Sequence, residues 1–266
     1  MGEVFVITSG KGGVGKTTTT ANIGTALAML GYRVVLVDAD IGLRNLDVVM
    51  GLENRIVYDL VDVAHGRCRL RQALIRDRRF ETLYLLPAAQ TKDKNAINPE
   101  QMKALCEEIK KECDYLLVDC PAGIEQGFRN AVAGADRAIV VTTPEVAAVR
   151  DADRIIGLLE ASEIRNPLLI INRIRPKMVR TGDMLDVDDV IEHLAIELLG
   201  IVPDDESIIV STNKGEPAVL NPHSKAGEAY RNISRRITGE DVPLMNLENG
   251  EGFMDRVRRL LGLRTS

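Results

Sequence analysis

Gly10-Lys11-Gly12-Gly13-Val14-Gly15-Lys16-Thr17 fits the spacing G-x-x-x-x-G-K-[ST]. The β-branched apolar run Val4 to Thr8 precedes it, and a helix-length segment, Thr17 to Leu30, follows. Strand, glycine-rich turn and helix in that order read as a phosphate-binding loop. Its glycines let successive backbone N–H groups converge on phosphate oxygens, and the helix N-terminus adds its dipole. Gly12, Gly13, Val14, Gly15, Lys16, Thr17 and Thr18 are therefore the candidate nucleotide-binding residues. Lys16 is expected to reach the β/γ-phosphates, and the Thr17 hydroxyl to ligate Mg²⁺. Lys11 departs from an ordinary loop of this kind. It reads either as a solvated lysine or as a cation reaching a neighbouring molecule's nucleotide.

Working outward, the same type of apolar run recurs at Arg33–Val37, Thr82–Leu86, Tyr115–Val118, Ala138–Thr142, Leu168–Ile171 and Leu199–Val202. The runs are continuous and not alternating, as in strands buried on both faces. Helix-length segments separate them, including Pro99–Lys111, Pro144–Ser162 and Val187–Leu198. The pattern predicts an α/β fold: a doubly wound, mostly parallel sheet with helices on both faces.

Two of the strands end in carboxylates. Arg33-Val-Val-Leu-Val-Asp38-Ala-Asp40 places Asp38 and Asp40 at the strand end where open α/β sheets bind ligands. Asp40 is positioned to orient or deprotonate an attacking water, and Asp38 to hold Mg²⁺ through a water. Either could instead cap the following turn. Tyr115-Leu-Leu-Val-Asp119-Cys120-Pro121-Ala-Gly123 repeats the design, with Asp119 as the metal-binding carboxylate. Gly123 is a candidate switch, its N–H meeting the γ-phosphate and moving when that group leaves. Asn172 ends a later strand and offers the donor and acceptor of an adenine edge, or else simply forms a turn.

Composition limits the alternatives. Over 266 residues the formal net charge is -5, which argues against a broad basic nucleic-acid surface. Aromatics are 3%, too few for a base-stacking platform. The four cysteines, Cys68, Cys106, Cys113 and Cys120, form no C-x-x-C pair, so no zinc-ribbon or disulfide-exchange site is expected. No run of 18 apolar residues suggests a membrane span.

The composition changes at Gly239–Gly252, rich in Gly, Pro and acidic residues. The expected organisation is an α/β domain over 1–238, an acidic flexible linker over 239–252 and a helix over 253–266. At about 100° per residue, Phe253, Met254, Val257, Leu260 and Leu261 share an arc of about 120°. Arg258 flanks that arc, and residues 255–264 carry four Arg against one Asp. Behind a linker this reads as an anchor lying on an anionic membrane surface. The alternative is a helix docked on its own domain.

Taken together, GKGGVGKTT, VDADIGLRNLD, VDCPAG and INRIRP resemble the deviant Walker A ATPases, the ParA/MinD family of P-loop NTPases. VVTTPEVAAVRDADR at 140–154 and NKGEPAV at 213–219 resemble its septum-placing MinD branch, over essentially the full chain. The resemblance implies ATP and Mg²⁺ as cofactors and a homodimer that sandwiches ATP, with Lys11 reaching across. It implies that Lys11, Lys16 and Asp40 serve catalysis, and that Asn172 with Pro203, Asp204 and Asp205 forms an adenine pocket. It implies slow ATP hydrolysis, recruitment of MinC to the inner membrane and release stimulated by MinE. The place implied is the cytoplasm and the cytoplasmic face of that membrane, with no nucleic-acid partner. The rival within the family is a partition ATPase that binds nucleoid in place of lipid.

Overall fold

The computed structural model describes residues 2–90 and 96–245. The expected membrane-facing residues Phe253, Met254, Val257, Arg258, Leu260 and Leu261 lie outside that range.

In chain order the elements are β1 (Glu3–Thr8), α1 (Lys16–Met29), β2 (Val34–Asp38), α2 (Leu46–Met50), α3 (Leu60–Ala64), α4 (Leu70–Ala73), β3 (Ile75–Arg76), β4 (Leu83–Leu86), α5 (Pro99–Ile109) and β5 (Tyr115–Asp119). There follow α6 (Gln126–Val132), β6 (Arg137–Thr142), α7 (Val146–Ala161), β7 (Leu168–Ile174), α8 (Pro176–Thr181), α9 (Val187–Leu194), β8 (Glu197–Pro203), α10 (Ser207–Asn213) and α11 (Lys225–Ile237). One sheet runs β3-β4-β2-β5-β1-β6-β7-β8. Every neighbouring pair is parallel except β3 with β4. The doubly wound α/β fold expected from the sequence is the one found.

The continuous apolar strands are explained by burial on both sides. In β1, Val4 and Val6 point into one core while Phe5 and Ile7 point into the other. The first core lies under α3, α5, α6, α7 and α9, the second under α1, α2 and α11. With side chains alternating across the sheet, a strand covered on both faces needs an apolar residue at each position.

Three local features differ from the sequence reading. The helix expected to run to Leu198 stops at Leu194, because Ala195 turns left-handed at φ 52 and β8 begins at Glu197. The two-residue edge strand β3 is too short to leave a pattern in the sequence and pairs antiparallel with β4. Residues 239–245, at the start of the expected linker, lie against the domain. Arg236 donates from Nε to the Val242 carbonyl (2.7 Å), from Nη1 to Leu199 (2.6 Å) and from Nη2 to Pro243 (2.6 Å). Met245 packs on the second core.

Candidate functional site

The loop between β1 and α1 lies at the C-terminal edge of the sheet. Gly13 and Gly15 take left-handed φ values of 80° and 104°, conformations that a residue with a Cβ adopts only under strain. Helix α1 starts at Lys16 with no side-chain cap and no acidic residue in its first turn. Its leading N–H groups and dipole are therefore directed at the loop without a built-in anion, which suits a phosphate.

The two lysines of the loop are disposed differently. Lys16 is 7% exposed, and its Nζ donates to Ser9 Oγ (2.8 Å) and to the Lys11 carbonyl (3.4 Å). Ser9 Oγ in turn donates to that same carbonyl (2.7 Å). Burial lowers the Lys16 pKa, opposed by the charges of Asp119 and Asp40. Lys11 is exposed.

Asp38 and Asp119 are buried neighbours on β2 and β5. Asp38 accepts from the backbone N–H of Asp40 (2.9 Å), Asn45 (3.2 Å) and Leu46 (3.2 Å). Asp119 accepts from Thr20 Oγ1 (3.3 Å) and from the Thr17 side chain. Burial, reinforced by their mutual repulsion, raises the pKa of Asp119; burial, reinforced by Asp40, raises that of Asp38. Two buried carboxylates beside a threonine hydroxyl, with their ionised forms disfavoured, make a hard oxygen donor set suited to Mg²⁺. Asp40 is half-buried at the end of the same strand. Gly123 is left-handed at φ 96, and a Cβ at Gly12 would just meet the methyl of Ala122 beside it. The loops after β1, β2 and β5 thus converge on one point.

A cleft next to α1 is lined by Gly15, Thr18, Asn172, Pro203, Asp204 and Asp205, so the residues expected around adenine adjoin the loop. Their side chains are already engaged. Asp204 pairs with Arg175 at 2.6 Å. Asp205 accepts from Ser207 N (2.8 Å), Ser224 Oγ (2.9 Å) and Ala226 N (3.0 Å). Burial would raise the Asp205 pKa, but those hydrogen bonds prevail and lower it. Asp205 therefore ties the starts of α10 and α11 together. Tyr230 closes the cleft, its hydroxyl 3.1 Å from Thr19 Oγ1. Ser9, Thr20, Arg175 and Tyr230 were not singled out from the sequence. Arg175 lies inside INRIRP and Thr20 inside the helix-length segment Thr17–Leu30; Ser9 and Tyr230 lie in no stretch that carries a motif.

Cys106, Cys113 and Cys120 are buried thiols, and burial pushes each up to about 12. Among the described residues no cluster of His, Cys, Asp or Glu has the form of a metal-ion cage, and no helix is long and apolar enough to cross a membrane.

Residues 5–218 match the family described as the CobQ/CobB/MinD/ParA nucleotide binding domain. The chain is 62% identical over 268 aligned positions to the septum site-determining protein MinD of Bacillus subtilis, covering 100% of both chains. Among solved structures it resembles the MinD of an Aquifex aeolicus MinC:MinD cell division complex. That match has TM-score 0.86 and 52% identity, over 92% of this chain and 99% of that one. The Pyrococcus horikoshii MinD complexed with Mg-ADP matches with TM-score 0.81 and 30% identity, over 89% and 96%. With this fold, this loop and these relatives, the chain belongs to the CobQ/CobB/MinD/ParA nucleotide-binding family and, within it, to the septum site-determining MinD proteins.

Proposed function

We propose that the chain is an ATP-dependent, dimerising membrane ATPase that positions the division septum by recruiting MinC, and that MinE-stimulated hydrolysis releases it. The observation that carries this reading is the contrast between the loop's two lysines. Lys16 is folded into its own loop, while Lys11 stands in solvent at the same edge. A cation held outside its own site is suited to a nucleotide bound by a second copy. The MinC:MinD complex among its relatives supports MinC as partner.

Gly12 to Thr18 hold the phosphates, with Lys16 on the β/γ pair. Thr17, Asp119 and Asp38 are the residues that would hold Mg²⁺. When bound, the metal neutralises charge on the terminal phosphates. Asp40 orients the attacking water, Lys11 of the second copy faces the transferred phosphate, and Gly123 registers its departure.

Phe253, Met254, Val257, Leu260 and Leu261 form the lipid-facing side of the tail, with Arg258 on headgroups. A short helix inserted partway gains little over the cost of ordering it, about 1–2 kcal/mol per residue for the backbone. One tail therefore holds weakly. A dimer makes the second insertion intramolecular, so nucleotide-driven pairing sets membrane residence.

Co-sedimentation with anionic liposomes tests this, with ATP against ADP, for the whole chain and for one ending at Glu251. ATP-dependent pelleting that truncation abolishes is the expected result. Binding in neither state, with salt-sensitive retention on DNA, would overturn it in favour of a partition-type protein.

A further inference from the structure

Strand β7 does not end cleanly. Its pairing with β8 slips between Ile171 and Ile174, and Arg173 within that slip is left-handed at φ 56. A bulge of this kind re-aims a side chain, and a non-glycine residue in this region is strained. The side chain re-aimed is that of Asn172, which is 5% exposed. Its Oδ1 accepts from the Arg173 N–H (2.9 Å), and its Nδ2 donates to the carbonyl of Val14, inside the phosphate loop, at 2.7 Å. The adjoining Gly15 is shaped to admit it, because a Cβ at Gly15 would collide with Asn172 Nδ2. A bulge, a buried hydrogen bond and a missing Cβ all serve one contact.

The geometry of the peptide unit gives that contact a consequence. The Val14 carbonyl and the Gly15 N–H belong to one planar trans peptide and point in opposite directions. Fixing the carbonyl toward Asn172 fixes the N–H away from it, toward the inside of the loop. We propose that Asn172 is a positioning residue for the phosphate loop: by holding the Val14 carbonyl it sets the direction of the Gly15 N–H toward phosphate, whatever contact it also makes with a base. The proposal rests on the loop being the nucleotide site, and wild-type binding of the probe below tests that separately.

The probe is inorganic tripolyphosphate with Mg²⁺, which carries the phosphates and no base. Full-length wild type, Asn172→Ala and Asn172→Leu are titrated with it and with Mg-ATP, and their unliganded thermal midpoints are recorded. Leu is uncharged, lacks the donor and keeps the branched outline of Asn at a larger volume, so it covers the case in which Ala leaves a hole. Both variants are expected to bind both ligands about tenfold more weakly, the scale of one buried hydrogen bond to a loop peptide. The loss for tripolyphosphate is the part the loop accounts for, and any further loss confined to ATP measures a base contact made in addition. Weakened ATP with unchanged tripolyphosphate would make Asn172 a base contact alone and overturn the proposal. Unchanged affinity for both, with a lowered midpoint, would make it a purely structural residue and overturn it equally. Failure of wild type to bind either ligand would overturn the site reading itself.

Discussion

Asp38 and Asp119 stand directly opposite each other in the parallel β2–β5 ladder, each no more than 2% exposed. Burial raises both pKa values, so the unliganded native state holds protons that the unfolded chain has released. Their contribution to stability is therefore greatest in acid and declines as pH rises above the ordinary aspartate value of about 3.9. Metal binding needs the ionised form. Mg-ATP affinity should accordingly rise between about pH 6 and about pH 8, with proton release on binding. Calorimetry in buffers of different ionisation enthalpy checks this, and a flat profile without proton release would contradict it.

Lys11→Ala removes an exposed side chain. The fold should hardly notice, with a stability change within about 0.5 kcal/mol. Dimerisation with ATP should be lost, as should turnover. Chemical denaturation and size-exclusion chromatography with ATP separate the two effects. A variant that still dimerises would remove Lys11 from the interface.

Asp40→Ala should lower turnover by about 10²–10⁴-fold, the usual contribution of a positioned base. Mg-ATP affinity should stay within about threefold, since the Asp40 backbone N–H that holds Asp38 is kept in Ala. Single-turnover kinetics beside equilibrium titration would show the split. Unimpaired turnover would move the base elsewhere.

Arg79→Ala tests the scaffold. The Asp77 carboxylate is fully buried and held by Arg79 from Nη2 (2.6 Å) and Nε (3.0 Å), while Arg79 also donates to Met50 (2.9 Å) and Gly215 (3.2 Å). Its loss leaves a buried carboxylate without its cation and should cost about 2–4 kcal/mol, the lower part of that range reflecting Arg79's partial exposure. Urea denaturation reads this out, and a loss below about 1 kcal/mol would show that the clamp matters little.

How much of this was legible in the sequence depended on range. The seven long strands could be read because two-faced burial fills every position, as in Val4, Phe5, Val6 and Ile7. Gly10–Thr17 could be read because its chemistry is contiguous. The end of α9 could not, since Ala195 turns left-handed without a glycine to announce it, and Leu198 and Leu199 suit helix and strand alike. The grip of Asp205 on Ser224 and Ala226, and of Arg79 on Met50 and Gly215, joins residues far apart in the chain and leaves no local pattern. Asn172 was legible as a member of the site but not as a partner of Val14, because a bulge in β7 decides where its amide points.

The clasp of Arg236 on Val242 and Pro243 holds the chain to the body beyond the end of α11. The chain is fastened to the body as far as Met245, so residues 246–252 alone separate that fastening from Phe253. Seven residues reach at most about 23–25 Å. The fastening lies beside Leu199, near the start of β8, whereas the phosphate loop lies at the far ends of the strands. That fastening and the phosphate loop thus lie at opposite edges of the sheet, so in the switch proposed above a spent nucleotide would need to send no signal from one edge to the other.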